Sequence, residues 1–190
     1  MPFVIVEKTA IAGLLVLTPR YFQDDRGYFA ETWNRQSMDE VGLDFEFVQD
    51  NHSLSRDAGT VRGLHFQSPP RAQDKLVRCT RGAIFDVAVD IRVGSPTYGN
   101  WVGIDLTAKN GRQLMVPKGF LHGFATREPD TEVQYKCTDY YAPECDRAVR
   151  WDSVGIDWKL RDTPLLSVKD ASAIPFEEFQ SPFVFEENCI

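Results

Sequence analysis

The sequence predicts an all-β protein of the sandwich or barrel kind. Three observations carry this: short runs that alternate apolar and polar residues with period two, Gly, Pro and Asn turn signals between them, and only one convincing early helix. At 190 residues and 43% apolar, with no break in composition, the chain suits one domain over 1–190 with a sizeable core.

The opening segment up to Arg20 holds two β-branched runs joined by a turn at Ala12-Gly13. Asp24-Asp25-Arg26-Gly27 is a turn signal, and Tyr28 to Trp33 then alternates, placing Phe29, Glu31 and Trp33 on one face. A carboxylate between two aromatics reads either as an edge strand with Glu31 in solvent or as a ligand contact. Ser37-Met-Asp-Glu40 fits a capping box and Gly42 a helix stop, which predicts a short helix. Between Phe45 and Ser53 the alternation groups Phe45, Phe47, Gln49, Asn51 and Ser53. That face changes from apolar to amide, as the floor and mouth of a pocket would, although Asn51 also suits an ordinary strand end. His52, on the other face, reads as structural.

Arg62-Gly-Leu-His-Phe-Gln67 sets a histidine into an apolar, strand-like run with a cation and an amide beside it. Histidine ionises near neutral pH, at about 6.5 when unperturbed, so His65 is a candidate base. Strict alternation puts Arg62 and His65 on opposite faces, but a bulge at Gly63 would bring both into one cavity. Ser68-Pro-Pro70 ends that strand. Lys75–Thr80, Arg81-Gly82 and Ala83–Arg92 read as strand, turn and strand, with Asp86 and Asp90 sharing a face and Asp90 and Arg92 forming a solvated side. Trp101–Leu106, Gln113–Val116 and Glu132–Tyr140 add strands, the last placing Val133, Tyr135, Cys137 and Asp139 together. From about Asp157 the pattern gives way to an irregular tail with an aromatic-rich end. Within it Ser167-Val-Lys-Asp170 reads as a helix start, which supplies Asp170 with a structural explanation.

A net charge of −7 argues against binding nucleic acid through a general basic field, while leaving room for a local pocket for a small anion. Cys79, Cys137, Cys145 and Cys189 are widely spaced, without the C-x-x-C pair of a zinc knuckle or redox motif, and read as reduced cytosolic thiols. The apolar start Phe3–Val6 is broken by Glu7 and Lys8, and Leu14–Leu17 runs into Pro19 and Arg20, so neither reads as a signal peptide. No run approaches the ~20 apolar residues of a membrane span. The expectation is a soluble cytoplasmic protein with neither nucleic acid nor membrane as partner.

Gly111, Pro117, Gly119 and His122 have the spacing of the second half of the cupin signature, with Thr126 where asparagine is usual. The first half lacks its His-x-His pair, because His65 is followed by Phe66 and Gln67. A three-histidine ferrous or manganese site cannot then be assembled locally. The expected fold is a cupin-type jelly roll, a double-stranded β-helix with a few short helices, using no metal and no organic cofactor.

More widely, the chain resembles the dTDP-4-dehydrorhamnose 3,5-epimerases. The resemblance rests on Phe22-x-Asp24-x-Arg26-Gly27-x-Phe29-x-Glu31, Gln49-Asp-Asn-His-Ser53, Val61-Arg-Gly-Leu-His-Phe-Gln67, Pro69-Pro-x-Ala-Gln73 and Lys75-Leu-Val-Arg78. It continues through Phe85-Asp-Val-Ala-Val-Asp90, Pro117-x-Gly-Phe-x-His-Gly123, Tyr135-Lys136, Asp139-Tyr-Tyr-Ala-Pro-Glu144 and Ile156-Asp-Trp158. These motifs span nearly the whole chain in the family's order, and no common structural demand would fix so many unrelated positions.

The resemblance implies epimerisation of a dTDP-4-keto-6-deoxy-hexose at C3 and C5 through enolates, by a homodimer. It assigns His65 as the base, Tyr135 as the acid on the opposite face, Asp170 as the carboxylate that orients His65, and Lys75 as the cation near the enolate oxygen. Such a set is what the chemistry demands, since a proton beside a ketone leaves only if a base is aimed at it and the enolate is stabilised. Arg26, Glu31, Gln49, Asn51 and Arg62 match positions that hold the nucleotide and its diphosphate. His122 and Asp86 belong to the same polar cluster, and Asp146 and Lys169 to the substrate contacts. Two positions depart from the family pattern: Asp74, an acid expected to raise the pKa of Lys75, and Asp146, where glutamate is more usual. The rivals are a one-carbon epimerase or ketoisomerase of the same superfamily, a metal-dependent cupin oxygenase, and a non-catalytic sugar-binding module.

Overall fold

The computed structural model describes residues 4–186, so the readings made for Phe3 and Cys189 lie outside the described residues. The chain forms β1 (Val4–Lys8), β2 (Leu15–Pro19), β3 (Tyr21–Asp24), β4 (Gly27–Ala30), α1 (Arg35–Asp39), β5 (Gln49–Ser55) and β6 (Val61–Gln67). There follow β7 (Lys75–Arg81), β8 (Ala83–Asp90), β9 (Arg92–Val93), β10 (Trp101–Thr107), β11 (Gln113–Val116), β12 (Phe120–Thr126), β13 (Thr131–Cys137) and β14 (Asp146–Ala148). The tail adds α2 (Val168–Ala171), a 3₁₀ turn at Phe176–Glu178 and β15 (Phe183–Val184).

Two antiparallel sheets face each other, one of six strands in the order β1-β2-β11-β7-β13-β5 and one of five in the order β10-β8-β12-β6-β14. Alternation explains the layers. Val77, Cys79, Leu114, Val116 and Val133 of the first sheet meet Ile84, Ala88, Phe120 and Phe124 of the second in the central core. The opposite parity of β8, Phe85, Val87 and Val89, packs with Leu64, Phe66, Val149 and Trp158 on the outer side of the five-stranded sheet, against Phe176, Phe179 and Phe183 of the tail. On the outer side of the six-stranded sheet, Leu15, Leu17, Leu76 and Met115 are covered by Met38 of α1 and by Leu43, Phe45 and Phe47. Burial on both faces suits a run such as β8, all eight residues of which are buried.

Several boundaries differ from the expectation. The cap of α1 is Asn34, whose Oδ1 accepts from the Ser37 amide at 3.2 Å; Ser37 lies inside the helix and donates its hydroxyl to Glu31 at 3.1 Å. Asn caps as well as Ser, and Glu31 engages both side chains. Gly42, at φ +78, follows the helix as expected. The strand read from Phe45 starts at Gln49, because Phe45 and Phe47 pack with each other and with Trp33 instead of pairing. The strand read from Tyr28 to Trp33 ends at Ala30 as half of the β3–β4 hairpin.

The solvated side read for Asp90 and Arg92 is overturned. Asp90 is 0% and Arg92 7% exposed, and Arg92 Nε and Nη2 donate to the Asp90 carboxylate at 2.9 and 2.7 Å. Burial opposes the Asp90 charge, but the hydrogen bonds from Arg92, Ser95 and Thr97 outweigh it and hold the carboxyl below its usual range. The guanidinium also lies over the Phe120 and Phe185 rings, at 4.5 and 5.1 Å. Alternation alone does not separate a solvated pair from one covered by a remote segment.

Candidate active site

A cavity of about 430 Å³ opens at one end of the two sheets, lined by Arg62, His65, His122 and Asp170 on one side and by Lys75 and Tyr135 on the other. Its first wall depends on Gly63. The β6–β12 register shifts between His122 and Phe124, and Gly63 has φ +133. A Cβ on Gly63 would sit 2.6 Å from the Gly123 Cα, so glycine alone lets these two strands approach. This irregularity brings Arg62 and His65 onto one cavity against strict alternation.

His65 Nε2 is hydrogen-bonded to Asp170 Oδ1 at 2.5 Å. Asp170 is 2% exposed and stands in the first turn of α2, where its amide donates to the capping Ser167 hydroxyl at 3.1 Å. The helix-start reading and the pairing with His65 therefore hold together. Burial opposes ionisation of Asp170, but hydrogen bonding and charge from His65, with help from Ser167 and the Gly63 backbone, bring its pKa below the ordinary value. A carboxylate on Nε2 leaves Nδ1 as the nitrogen able to take up a proton. His122 is the direct cross-strand partner of His65, and its Nε2 bonds Asp86 Oδ1 at 2.8 Å, both side chains being buried. Asp86 Oδ2 is buried without a hydrogen-bond partner.

The facing sheet supplies Lys75 and Tyr135. On it Cys137 pairs with Lys75, and Tyr135 pairs with Val77 on one side and Asn51 on the other. Burial is the main influence on Tyr135, with the Cys137 thiol adding to it and Arg62 opposing, and the phenol's pKa is raised. Tyr135 is thus a protonated donor at neutral pH. For Lys75 burial lowers the pKa, while Cys137, Asp146 and Asp86 act to raise it. The expectation that Asp74 raises it is overturned. Asp74 turns away, accepting from the Lys118 amide and the Thr138 hydroxyl, both at 2.9 Å. Adjacency in sequence on a strand sends successive side chains to opposite faces.

The remaining sequence-derived residues divide. Lys169 and Asp146 pair with each other at 2.5 Å, and Tyr141 donates to the same carboxylate oxygen at 3.2 Å. Gln49 donates to Asn51 at 3.2 Å and accepts from the Tyr141 amide at 2.9 Å, while Asn51 lies 3.6 Å from Cys137 Sγ. Neither lines the cavity around His65. Arg26 stands away from it on the β3–β4 hairpin, its side chain 90% exposed and paired with Asp24 at 2.6 Å. Glu31 is held by Asn34 and Ser37. His52 bonds Glu132 at 3.1 Å, in keeping with a structural role. Ser53, Thr60, Leu165 and Leu166 also line the cavity but were not singled out; Ser53 shares the parity of Asn51, whereas the leucines of the tail carried no signal. Among the described residues, no three His, Cys, Asp or Glu side chains are grouped so as to hold a metal ion, and no helix is long and apolar enough to cross a membrane.

If Asp170 fixes the tautomer of His65, Asp170→Asn should lower the turnover rate by about two to four orders of magnitude, as in other histidine–carboxylate pairs. Nucleotide affinity should change little. Because the Asp170 pKa is lowered by folding, the stability it contributes is present above the unfolded value of about 3.9 and lost as pH falls through the folded one. Acid titration of unfolding should show that loss in the native protein and not in Asp170→Asn.

A jelly roll with a histidine–carboxylate pair and a tyrosine on opposite walls of one cavity has the groups that an isomerase needs to move a proton between the two faces of a substrate carbon. The comparisons with known proteins narrow the class. The chain belongs to the dTDP-4-dehydrorhamnose 3,5-epimerase family, whose model matches residues 8–178. It is 54% identical over 172 residues to dTDP-4-dehydrorhamnose 3,5-epimerase of Sinorhizobium fredii, covering 87% of this chain and 86% of that one. The enzyme of the same name from Salmonella typhimurium is 51% identical over 172 residues, covering 89% and 93%. A Legionella pneumophila dTDP-6-deoxy-D-glucose-3,5-epimerase, solved in complex with dTDP-4-keto-L-rhamnose, superposes with a TM-score of 0.92 at 40% identity, covering 96% of this chain and 99% of that one. The cupin-type fold and the isomerase class expected from the sequence are borne out.

Proposed function

We propose that the protein converts dTDP-4-dehydro-6-deoxy-D-glucose to dTDP-4-dehydro-L-rhamnose by proton exchange at C3 and C5. The observation that carries this reading is the placement of His65 with Asp170 on one wall of the cavity and Tyr135 on the other. Facing sheets stand about 10 Å apart, enough for a pyranose ring to lie between a base and an acid. His65 takes the proton from the carbon beside the C4 ketone, and Asp170 steadies the imidazolium. Lys75 donates to the enolate oxygen. Since C3 and C5 both adjoin C4, one enolate-stabilising group serves both steps. Tyr135, kept protonated by burial, returns a proton to the opposite face. His122 and Asp86 form the floor behind His65 and hold its strand in place.

Arg62 and Lys169 grip the diphosphate, with Gln49 and Asn51 beside Tyr135 contacting the nucleotide. Arg26 and the 70% exposed Phe29 project on a hairpin away from this cavity, which supports a homodimer in which each hairpin completes the partner's nucleotide end. A monomer mass in sedimentation at working concentration would remove that hairpin from the site. The buried free thiols of Cys79, Cys137 and Cys145 fit the reducing cytoplasm.

The test is incubation of chelator-treated protein with dTDP-4-dehydro-6-deoxy-D-glucose in heavy water, followed by proton NMR. Deuterium at both C3 and C5 with formation of the L-sugar is the expected result. Uptake at one carbon would leave a one-carbon epimerase. Activity restored only by added iron or manganese would favour a metal-dependent cupin.

A further inference from the structure

A second cavity, of about 540 Å³, shares no lining residue with the one around His65. The two are neighbours. Thr60 and Leu165, joined by a parallel bridge, line the first, whereas Gly59 and residues 160–163 line the second.

The second cavity gathers Arg127, Lys159 and Arg161, none of which forms an ion pair among the described residues. The Arg127 guanidinium and the Lys159 ammonium lie 5.0 and 4.5 Å from the centre of the same Phe85 ring. Two like charges are thereby held within about a Debye length of each other, beside a low-dielectric surface that strengthens their repulsion. Arg127 Nη1 donates to the backbone carbonyls of Trp158 and Lys159, at 2.9 and 3.0 Å, which are neutral acceptors, and its Nη2 is buried without a partner. Burial lowers the Arg127 pKa, and Asp105 and Asp157 oppose that only through space. Lys159 itself sits at φ +50, a left-handed conformation uncommon for lysine, in a turn where its amide donates to Asp157 Oδ1 at 3.0 Å.

We propose that this second cavity binds a phosphate-class oxyanion between Lys159, Arg161 and Arg127. Guanidinium forks and an ammonium match the oxygens of such an anion, and none of these three cations is tied up in a direct ion pair among the described residues. Asp105 and Asp162 also border the cavity, and the Asp157 carboxylate stands beside it, accepting from the Lys159 amide at 3.0 Å. With carboxylates matching the cations in number, the site disfavours a polyanion, and a small anion is held there by directed hydrogen bonds and not by net charge.

The experiment titrates inorganic phosphate into ¹⁵N-labelled protein, with chloride adjusted to constant ionic strength. Amides of Gly59, Arg127 and residues 159–163 should shift saturably, with a Kd on the order of millimolar. Lys159→Gln combined with Arg161→Gln, both at exposed positions, should weaken that binding by about tenfold or more while the rest of the spectrum is retained. Arg127 is left in place because it ties down the Trp158 and Lys159 carbonyls. No saturable shift below about 50 mM phosphate would overturn the site. Unchanged affinity in the double variant would do so too, as would shifts confined to amides around His65 and Tyr135.

Discussion

His65→Ala is expected to abolish solvent exchange at both C3 and C5, with turnover falling by about three to four orders of magnitude. No other group bordering the cavity combines the right acidity with the right place. His122 is buried against Asp86, Lys75 and Tyr135 stand on the facing sheet, and Asp170 keeps a lowered pKa that makes it a weak base. The alanine variant also removes the His65 hydrogen bond from the Asp170 carboxylate, which is 2% exposed and keeps only Ser167 and the Gly63 backbone. Some loss of stability, on the order of 1–3 kcal/mol, should accompany the loss of activity. His65→Gln separates the two effects, because its amide nitrogen lies as many bonds from Cβ as the imidazole Nε2 and can still donate to Asp170, but it cannot act as a base near neutral pH. That variant should melt close to the parent and remain inactive. Binding of dTDP, followed calorimetrically, should survive in both. Near-normal exchange in either variant would remove His65 from the role of base.

Tyr135→Phe should divide the reaction into its halves. With His65, Asp170 and Lys75 intact, deuterium should still enter from heavy water at a rate within a few-fold of the parent. Formation of the L-sugar should drop by two to four orders of magnitude, since the phenol is the donor on the far wall and general acid catalysis of this kind contributes about that much. Phenylalanine keeps the ring that packs beside the central core, so the fold should be unaffected. Equal loss of exchange and inversion would mean that Tyr135 acts before or during deprotonation, and the assignment of faces would have to be reversed.

Much of this protein is legible along the chain because a strand reports its own faces. The strand-like runs between turn signals located β6, β7, β8, β10 and β11 to within a residue or two; β13 was read three residues too far at its end, but its alternation placed Tyr135 and Cys137 on one side. The parity conflict at Gly63 marked a true irregularity, since glycine is the residue that allows two backbones to approach so closely. β12 was recognised as a motif around His122 and not as a strand, because its seven residues are all buried and show no alternation. β14 was missed for another reason. At three residues it is too short to carry a pattern.

The family motifs brought the polar residues forward, and their identities were a property of the sequence alone. The resemblance paired Asp170 with His65 and grouped His122 with Asp86; the tertiary structure supplies the contacts that join them. Asp170 reaches His65 across 105 residues of chain, from a tail with no periodic signal, and Asp86 and His122 pair across neighbouring strands 36 residues apart. The same holds where expectation failed. Asp90 is buried beneath Arg92, Ser95 and Thr97, and Arg92 between Phe120 and the tail's Phe185; burial, not the adjacent Asp74, sets the direction of the Lys75 pKa. Local sequence specifies which way a side chain points from its own strand, by sterics that act over two or three residues. What it points at, and how much water remains there, depends on segments brought in by packing, and pKa and hydrogen bonding follow from those.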